Sequence, residues 1–302
     1  MIYRKSLISI LLALVQLATP LVSGFIVPPA TSAVRTRSSS STVSLEASVS
    51  SGDTILVIGG TGGVGQLVTQ KLLRDKFQVR VSSRNVEQAR ETIGSDVNIV
   101  PLDLIQGSAA ELAAALHGVE GVVISVGTTA FPTMKWRGGN TPQAIDADAV
   151  TKLVQAATAV PTMKKIVLIT SVGVYRTDEM PFKILNLFGV LDAKRSGEDA
   201  LKAATASADS DVDYVIVRPG RLVGGPFTNL DVARLLQIEG GAENGVDVTS
   251  GDALLGDCKR DACAEAIVQA LTQDSAQNVE FSIISNENPA LNDEDWEAAF
   301  TG

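Results

Sequence analysis

Three glycines at regular spacing carry the strongest chemical signal in this sequence. Gly59, Gly62 and Gly65 follow a short apolar run, residues 53–58, and stand where a helical pattern begins. Glycine permits a tight turn and the close approach of a phosphate, and the N–H groups of a helix start attract anions. The spacing predicts a pyrophosphate-binding loop rather than a merely flexible turn. The other predicted members of this loop are Thr61, Gly63 and Val64.

The end of the second predicted strand bears on which dinucleotide would bind. Folds that prefer NAD usually place a carboxylate there, about 20 residues after the glycine loop, for the ribose 2′-hydroxyl. This chain has Val81-Ser82-Ser83-Arg84-Asn85 at that point. Because a guanidinium and a hydroxyl suit a 2′-phosphate, Ser83 and Arg84 predict NADP(H). A solvated arginine at the start of the next helix is the alternative.

A third strand end lies where the adenine of a dinucleotide would be. Leu102-Asp103-Leu104 closes that strand, and Asp103 could accept a hydrogen bond from the exocyclic amine. Capping of the following turn is the alternative role for this carboxylate. Asp103 and Leu104 therefore join the candidate cofactor site.

These candidates require a fold that brings several strand ends together. Short apolar runs typical of buried parallel strands alternate with helical patterns. The strand-like runs are 53–59, 79–81, 97–100, 122–125, 166–170, 214–217 and 281–284, and the helical patterns are 64–76, 86–92, 109–116, 142–159 and 182–204. The order predicts an α/β fold built on a doubly wound parallel sheet. We expect one domain over residues 51–302, with a looser lobe at residues 220–260.

Composition excludes several classes of function. The 302 residues carry a net charge of −9, and residues 51–302 alone carry −12 because they hold 21 basic and 33 acidic residues. Nucleic acids and anionic membrane surfaces reward a basic face, so neither is expected as the main partner. With 4% aromatic residues, base-stacking platforms are not expected either.

The scarce histidine and cysteines exclude further chemistry. His117 is the single histidine, and Leu116-His117-Gly118 is typical of a helix end, which argues against a hydrolase triad. Cys258 and Cys263 are five residues apart, which suits neither a redox C-x-x-C pair nor a zinc site. We expect buried free thiols and no metal.

The first fifty residues are typical of a targeting sequence in two parts. Residues 1–24 combine Arg4 and Lys5 with an apolar run and a small-residue cleavage site, as in a signal peptide. The run is interrupted by polar residues and falls short of the ~20 apolar residues of a membrane anchor. Residues 25–50 are rich in hydroxyl side chains and contain one acid, as in a transit peptide.

The junction of these two parts indicates a destination. A signal peptide before a transit peptide, with Phe25 at the junction, resembles the plastid presequences of algae with secondary plastids. We therefore expect the mature protein in the plastid stroma, without a membrane span. Secretion, with residues 25–50 as a linker, is the alternative.

Residues 53–285 resemble the atypical short-chain dehydrogenase/reductase group, including NmrA-like, flavin/biliverdin-reductase-like and plastid translocon-associated NADP-binding proteins. Beyond the residues above, the resemblance rests on 126–128, 169–171, 184–189, Lys194-Arg195 and Val217-Arg218-Pro219-Gly220. It implies a Rossmann fold with NADP(H). It also implies further cofactor contacts at Val126, Gly127, Lys194, Pro219 and Gly220, the last two beside the nicotinamide.

One feature of these reductases is missing. They ordinarily pair a tyrosine with a lysine four residues later, which readies the phenol to donate a proton as hydride leaves. None of the three tyrosines has a lysine at that spacing, and Val190 stands four residues before Lys194. Protonation of the acceptor by the usual pair is therefore not expected.

Three residues remain as catalytic candidates, each with a structural alternative. Lys194 could bind the cofactor ribose, or pair with Glu198 one helical turn on. Ser171 could orient a carbonyl or the nicotinamide amide, or cap a turn. Tyr175 could supply a proton, or pack within a loop.

Two functions are compatible with these residues. The first is hydride transfer from NADPH to a flavin-, quinone- or tetrapyrrole-like acceptor that needs little help with protonation. The second is a non-catalytic NADP(H)-binding module that serves plastid redox sensing or the assembly of a membrane complex. Phe131, Met134 and Trp136 could roof a flat substrate or dock a protein partner. Sugar-nucleotide epimerisation is disfavoured by the missing tyrosine.

Overall fold

A mostly parallel sheet forms the centre of the computed structural model, which describes residues 48–94, 97–206, 210–225 and 244–302. Its strands are β1 (Thr54–Ile58), β2 (Gln78–Ser83), β3 (Asn98–Pro101), β4 (Gly121–Ile124), β5 (Lys165–Ile169), β6 (Asp213–Pro219), β8 (Asn244–Ser250) and β10 (Val279–Pro289). Their order is β3-β2-β1-β4-β5-β6-β10-β8. A separate parallel pair joins β7 (Arg221–Val223) to β9 (Asp257–Lys259). The described residues all belong to one compact unit.

Helices connect the strands and cover both faces of the sheet. They are α1 (Gly63–Arg74), α2 (Val86–Ile93), α3 (Ala109–Leu116), α4 (Met134–Arg137), α5 (Val150–Thr158), α6 (Phe182–Leu185), α7 (Val190–Thr205), α8 (Arg260–Thr272) and α9 (Asp293–Thr301). A π-helical segment, Gln143–Ala149, leads directly into α5. The predicted doubly wound fold is therefore confirmed.

The side chains of β1 show how the sheet builds a core on each face. Ile55 and Val57 belong to the apolar cluster that contains α1 and α8, whereas Leu56 and Ile58 belong to the cluster with α3 and α5. All four are fully buried. Burial on both faces explains why this strand is almost continuously apolar in sequence.

One predicted helix is divided in the structure. The pattern over residues 182–204 predicted a single helix, but Gly189 adopts a left-handed conformation (φ 73°) between α6 and α7. The Asn186 side chain accepts hydrogen bonds from the N–H groups of Leu191 and Asp192, which starts α7 afresh. Leu187 and Phe188 lie in this break, and both are exposed.

Two smaller predictions agree with the structure. His117 is the C-cap of α3, and Gly118 follows it with φ +66°. Cys258 and Cys263 are free and fully buried. The hydrogen bond with Cys258, together with burial, raises the pKa of the Cys263 thiol.

The targeting segments lie almost wholly outside the described residues, as does much of the predicted 220–260 lobe. The last strand of the sheet, β8, runs antiparallel to β10 and comes from that lobe. Within the described ranges, no helix combines the length and apolar character needed to cross a membrane.

Candidate functional site

A cavity of about 390 Å³ opens beyond the carboxyl ends of β1 and β4. The strand order reverses between these two strands, which is where doubly wound folds bind ligands. The predicted cofactor residues in its wall are Gly59, Thr61, Gly62, Ser83, Arg84, Asp103, Leu104, Val126 and Gly127. Thr133, Trp136 and Asn140 also line it, although the sequence did not identify them as cofactor residues.

The glycine loop is a tight turn in which the backbone leaves no room for side chains. Gly59 has φ +82°, and a Cβ atom there would lie 2.5 Å from the carbonyl oxygen of Ser125. A Cβ on Gly65 would overlap the Gly59 carbonyl. The Gly62 N–H donates to that same carbonyl at 2.9 Å. Side chains at Gly59 and Gly65 would therefore disrupt the loop.

Helix α1 begins at this loop with an electrostatic character that suits an anion. Gly62 is its N-cap and supplies no side-chain cap, and the first turn from Gly63 through Val64 contains no acid. The N–H groups of a first helical turn have no partner within the helix. Together with the macrodipole, they favour a negative group above the loop.

Arg84 and Ser83 differ in what their side chains do. Arg84 is exposed, lines the cavity, and donates from Nη1 to Asn140 Oδ1 at 2.9 Å. The Ser83 hydroxyl donates to the Asn85 carbonyl and accepts from the Asn85 N–H. It is thus engaged in the turn before α2, whereas the Arg84 guanidinium is a cation in the cavity wall.

The Asp103 side chain caps the turn that follows it, which was the alternative to a role in cofactor binding. Its Oδ1 accepts hydrogen bonds from the N–H groups of Ile105 at 2.8 Å and Gln106 at 3.0 Å. The residue nevertheless lines the cavity together with Leu104. The carboxylate therefore stabilises this wall, and its predicted contact with an adenine stays a prediction.

Lys194 lies beside Gly127 and pairs with a residue that the sequence analysis missed. Its Nζ is 2.6 Å from Asp146 Oδ1, and a Cβ on Gly127 would lie 2.9 Å from the same Nζ. Asp146 Oδ2 accepts from the Thr128 hydroxyl and N–H at 2.5 and 3.1 Å. Asp146, and not the alternative partner Glu198, is therefore the residue that pairs with Lys194.

Close helix packing produces this pair. Asp146 belongs to the π-helical segment, and a Cβ on Gly197 of α7 would lie 2.5 Å from the Asp146 carbonyl oxygen. Because Gly197 lacks a side chain, α7 approaches the segment closely enough for Lys194 to reach Asp146. The partner is 48 residues away in sequence, so no local pattern indicates it.

Glu198 instead forms a buried ion pair with Arg218 on β6. Arg218 Nη2 lies 2.7 Å from Glu198 Oε2, and Thr170 donates its hydroxyl to Glu198 Oε1 at 2.5 Å. Both charged residues are fully buried, and Arg218 also contacts Glu280. Burial alone would lower the pKa of Arg218, but the bonds to the two glutamates raise it above its usual value.

Tyr175 belongs to a different surface from the cavity wall. Its hydroxyl accepts a hydrogen bond from Lys202 at 2.8 Å, and the guanidinium groups of Arg195 and Arg218 lie over its ring. The Asp252 carboxylate accepts from the Tyr175 N–H at 2.9 Å. Tyr175 thus packs against cationic side chains, and its predicted role as a proton donor stays a prediction.

Ser171, Pro219 and Gly220 are likewise not among the described residues that line the cavity. The Ser171 hydroxyl donates to the Val172 carbonyl at 3.0 Å, and the Val172 N–H donates to the Pro219 carbonyl. A Cβ on Gly220 would overlap the Gly256 carbonyl. These residues support the ends of β5 and β6, next to the site.

An aromatic cluster stands at one side of the cavity. The Phe188 ring makes edge contacts with Phe131 and with Trp136, both at 6.1 Å between centroids. Phe188 is 45% exposed and neighbouring Met134 is 74% exposed, while Trp136 reaches the cavity wall. The cluster joins the segment after β4 to the break between α6 and α7.

Comparison with known proteins now identifies the family. Residues 59–274 match a family described as NAD(P)H-binding. The chain belongs to this family. The match includes the glycine loop, Arg84, Lys194 and the strands from β2 to β6. The resemblance to atypical short-chain dehydrogenases/reductases is thereby confirmed at the level of an NAD(P)-binding Rossmann domain.

The sequence relatives of this NAD(P)H-binding protein include a chloroplast protein of rice. Protein TIC 62 of Oryza sativa subsp. japonica is 30% identical over 221 residues, which are 61% of this chain and 42% of that protein. The chain thus spans about two-fifths of the length of this relative.

Solved structures share the fold. A Bacillus halodurans protein described as an NAD-dependent epimerase/dehydratase superposes with a TM-score of 0.61 at 22% identity, over 79% of this chain and 96% of that one. The anaerobilin reductase ChuY of Escherichia coli O157:H7 gives 0.57 at 18% identity, over 78% and 98%. At these identities the likeness concerns the fold alone.

Proposed function

We propose that this protein binds NADP(H) in the cavity and transfers hydride from NADPH to a flavin-, quinone- or tetrapyrrole-like acceptor. The observation that carries the proposal is the arrangement of the cavity wall. A phosphate cradle and the cation of Arg84 lie on one part of it, and Lys194 stands beside Gly127. These groups match the pyrophosphate, the 2′-phosphate and the nicotinamide ribose of the cofactor.

The residues fit the cofactor by an independent steric criterion. Gly59 and Gly65 leave space next to the helix start that side chains would fill. The N–H groups of Gly63 and Val64 would hold the pyrophosphate, and Lys194 would donate to the ribose hydroxyls. When bound, the reduced nicotinamide supplies the hydride.

The protein's own contribution is positioning rather than proton donation. Asp146 fixes the Lys194 ammonium, and Thr128 in turn fixes Asp146, so the cation is held beside Gly127 before the cofactor arrives. Tyr175 packs among cations away from the wall. An acceptor that takes its proton from water therefore suits this site better than a simple ketone.

A second function, an NADP(H)-binding module in plastid redox sensing or membrane-complex assembly, has a separate observation in its favour. Met134, Leu187 and Phe188 expose apolar surface next to the cavity, as a protein-docking face would. The similarity to TIC 62 of rice supports a plastid location, and we propose the stroma of a secondary-plastid alga, reached through the presequence of residues 1–50. Secretion remains the alternative.

Cofactor titration tests the binding part of the proposal. Calorimetry should give an NADPH affinity at least about tenfold higher than the NADH affinity, because Arg84 makes charge-assisted bonds to the 2′-phosphate alone. Arg84→Ala should remove most of this preference and leave NADH affinity nearly unchanged. Arg90→Ala, an exposed arginine paired with Glu87, is the matched control. Equal affinities in the wild type would overturn the NADP assignment.

Acceptor reduction separates the two functions. The wild type should oxidise NADPH with at least one member of a panel of flavins, quinones and bilins. Lys194→Met should slow that reaction while the protein remains folded. Tight NADPH binding without oxidation by any acceptor would favour the binding module.

A further inference from the structure

Asn140 connects two walls of the cavity through one hydrogen bond. Its Oδ1 accepts from Arg84 Nη1 at 2.9 Å, although the two residues are 56 positions apart in sequence. Arg84 follows β2, Asn140 lies between α4 and the π-helical segment, and both line the cavity. The bond therefore fixes the guanidinium against the segment that also carries Trp136.

The chemical nature of this partner distinguishes Arg84 from other cations of the protein. Many lysines and arginines form ion pairs, with a carboxylate oxygen within 4.0 Å of their nitrogen. They are Lys71, Arg74, Arg90, Lys164, Arg176, Lys194, Lys202, Arg218 and Arg221. Among the ion pairs within the described ranges, none includes Arg84. Its side-chain partner there is the neutral amide of Asn140.

A neutral partner orients a guanidinium without cancelling its charge. Arginine offers five N–H donors in a planar fork, and the bond to Asn140 uses one of them. An exposed arginine loses rotamer freedom when it binds a ligand, and a side chain that is already oriented loses less. A carboxylate at position 140 would orient the fork equally well but would repel a phosphate.

We propose that Asn140 is a specificity-determining residue that sets the preference for NADP(H) over NAD(H). It holds the Arg84 guanidinium in the cavity wall and leaves the positive charge for the 2′-phosphate. This inference rests on the proposed role of Arg84 in cofactor selection. The sequence attributes cofactor selection only to residues at the end of β2. The inference adds Asn140, which lies between α4 and the π-helical segment.

The experiment compares NADPH and NADH affinities by calorimetry for the wild type and three variants. Asn140→Ala should lower the NADPH/NADH affinity ratio by about two- to tenfold, the entropic cost of ordering one long side chain. Asn140→Asp should lower it by about tenfold or more, because a carboxylate then faces the phosphate. In both variants the NADH affinity should stay within about twofold of the wild type. Met134→Ala, on the same segment but exposed and outside the cavity wall, should keep the wild-type ratio.

The outcomes separate this inference from the proposal on which it rests. A wild type without a preference for NADPH would overturn the role of Arg84 and the inference with it. A wild-type preference that Arg84→Ala abolishes but both Asn140 variants retain would overturn the inference alone. Equal losses of NADPH and NADH affinity in the Asn140 variants would mean that the residue shapes the loop, which also overturns it.

Discussion

Replacing Lys165 with methionine should change how the stability of the protein depends on pH. Lys165 begins β5 and is fully buried, and its ammonium group donates to the carbonyls of Ala270 at 3.2 Å and Gln273 at 2.8 Å. These carbonyls lie at the end of α8, where the helix dipole favours a cation. Burial nevertheless lowers the pKa of Lys165 from 10.5 to about 8, against the attraction of Asp213 and Asp274.

The sign of the effect follows from proton binding in the two states. Between pH 8 and 10.5 the unfolded chain binds the lysine proton and the folded protein does not, so the free energy of unfolding rises with pH. The full shift corresponds to about 3 kcal/mol. Of this, about 1 kcal/mol should appear between pH 7 and 9 and about 2.5 kcal/mol between pH 7 and 10.

Urea denaturation of the wild type and of Lys165→Met at several pH values measures this contribution. The difference between the two unfolding free energies cancels groups that titrate alike in both proteins. It should shift in favour of the wild type by the amounts above as pH rises. When both proteins also carry Asp213→Asn, this shift should begin at lower pH. The Asp213 charge raises the pKa of Lys165, so its removal lowers that pKa further. A difference that stays constant from pH 7 to 10 would refute the reasoning.

Three further predictions follow from the glycine loop, the buried ion pair and the presequence. Gly65→Ala should weaken NADPH binding by at least about tenfold in calorimetry, because its Cβ overlaps the Gly59 carbonyl, whereas Gln70→Ala on the exposed side of α1 should not. Glu198→Gln should lower the free energy of unfolding in urea by about 3 kcal/mol, since it leaves the buried Arg218 charge undercompensated; a loss as small as that of the exposed Asp199→Asn would contradict this. A reporter fused after residue 50 should enter the plastid, and Phe25→Ala should divert it to an earlier compartment under fluorescence microscopy; secretion of both reporters would exclude the bipartite presequence.

The strands and the tight glycine turn could be predicted because their signals are local. The apolar run that became β1 is buried on both faces, and the glycines next to it are required by the backbone itself. The break at Gly189 also had a local signal, since an asparagine side chain readily accepts from the free N–H groups of a helix start and glycine tolerates positive φ. The spacing of apolar residues did not indicate this break, because Leu187 and Phe188 continue the helical spacing across it.

Long-range contacts could not be read in the same way. Asp146 has no special setting in sequence, and it meets Lys194 through the packing of two helices. Asn140 meets Arg84 because two separate strand ends lie at one cavity. Antiparallel β8 was missed because it lies within residues 220–260, which were expected as a loose lobe. Tertiary packing therefore decides which polar residues join the site.

Two adjacent residues of α7 determine where this helix places Lys194, because each fixes a different aspect of the position of the helix. Gly197 sets how closely the helix approaches the π-helical segment, and Glu198, paired with Arg218, sets its rotation over the sheet. Each residue of an α-helix advances the side-chain direction by about 100°. Deleting one residue between Lys194 and Gly197 would therefore swing the ammonium away from Gly127 even with the ion pair intact. Through evolution this stretch should accept changes on its exposed face but no change of length.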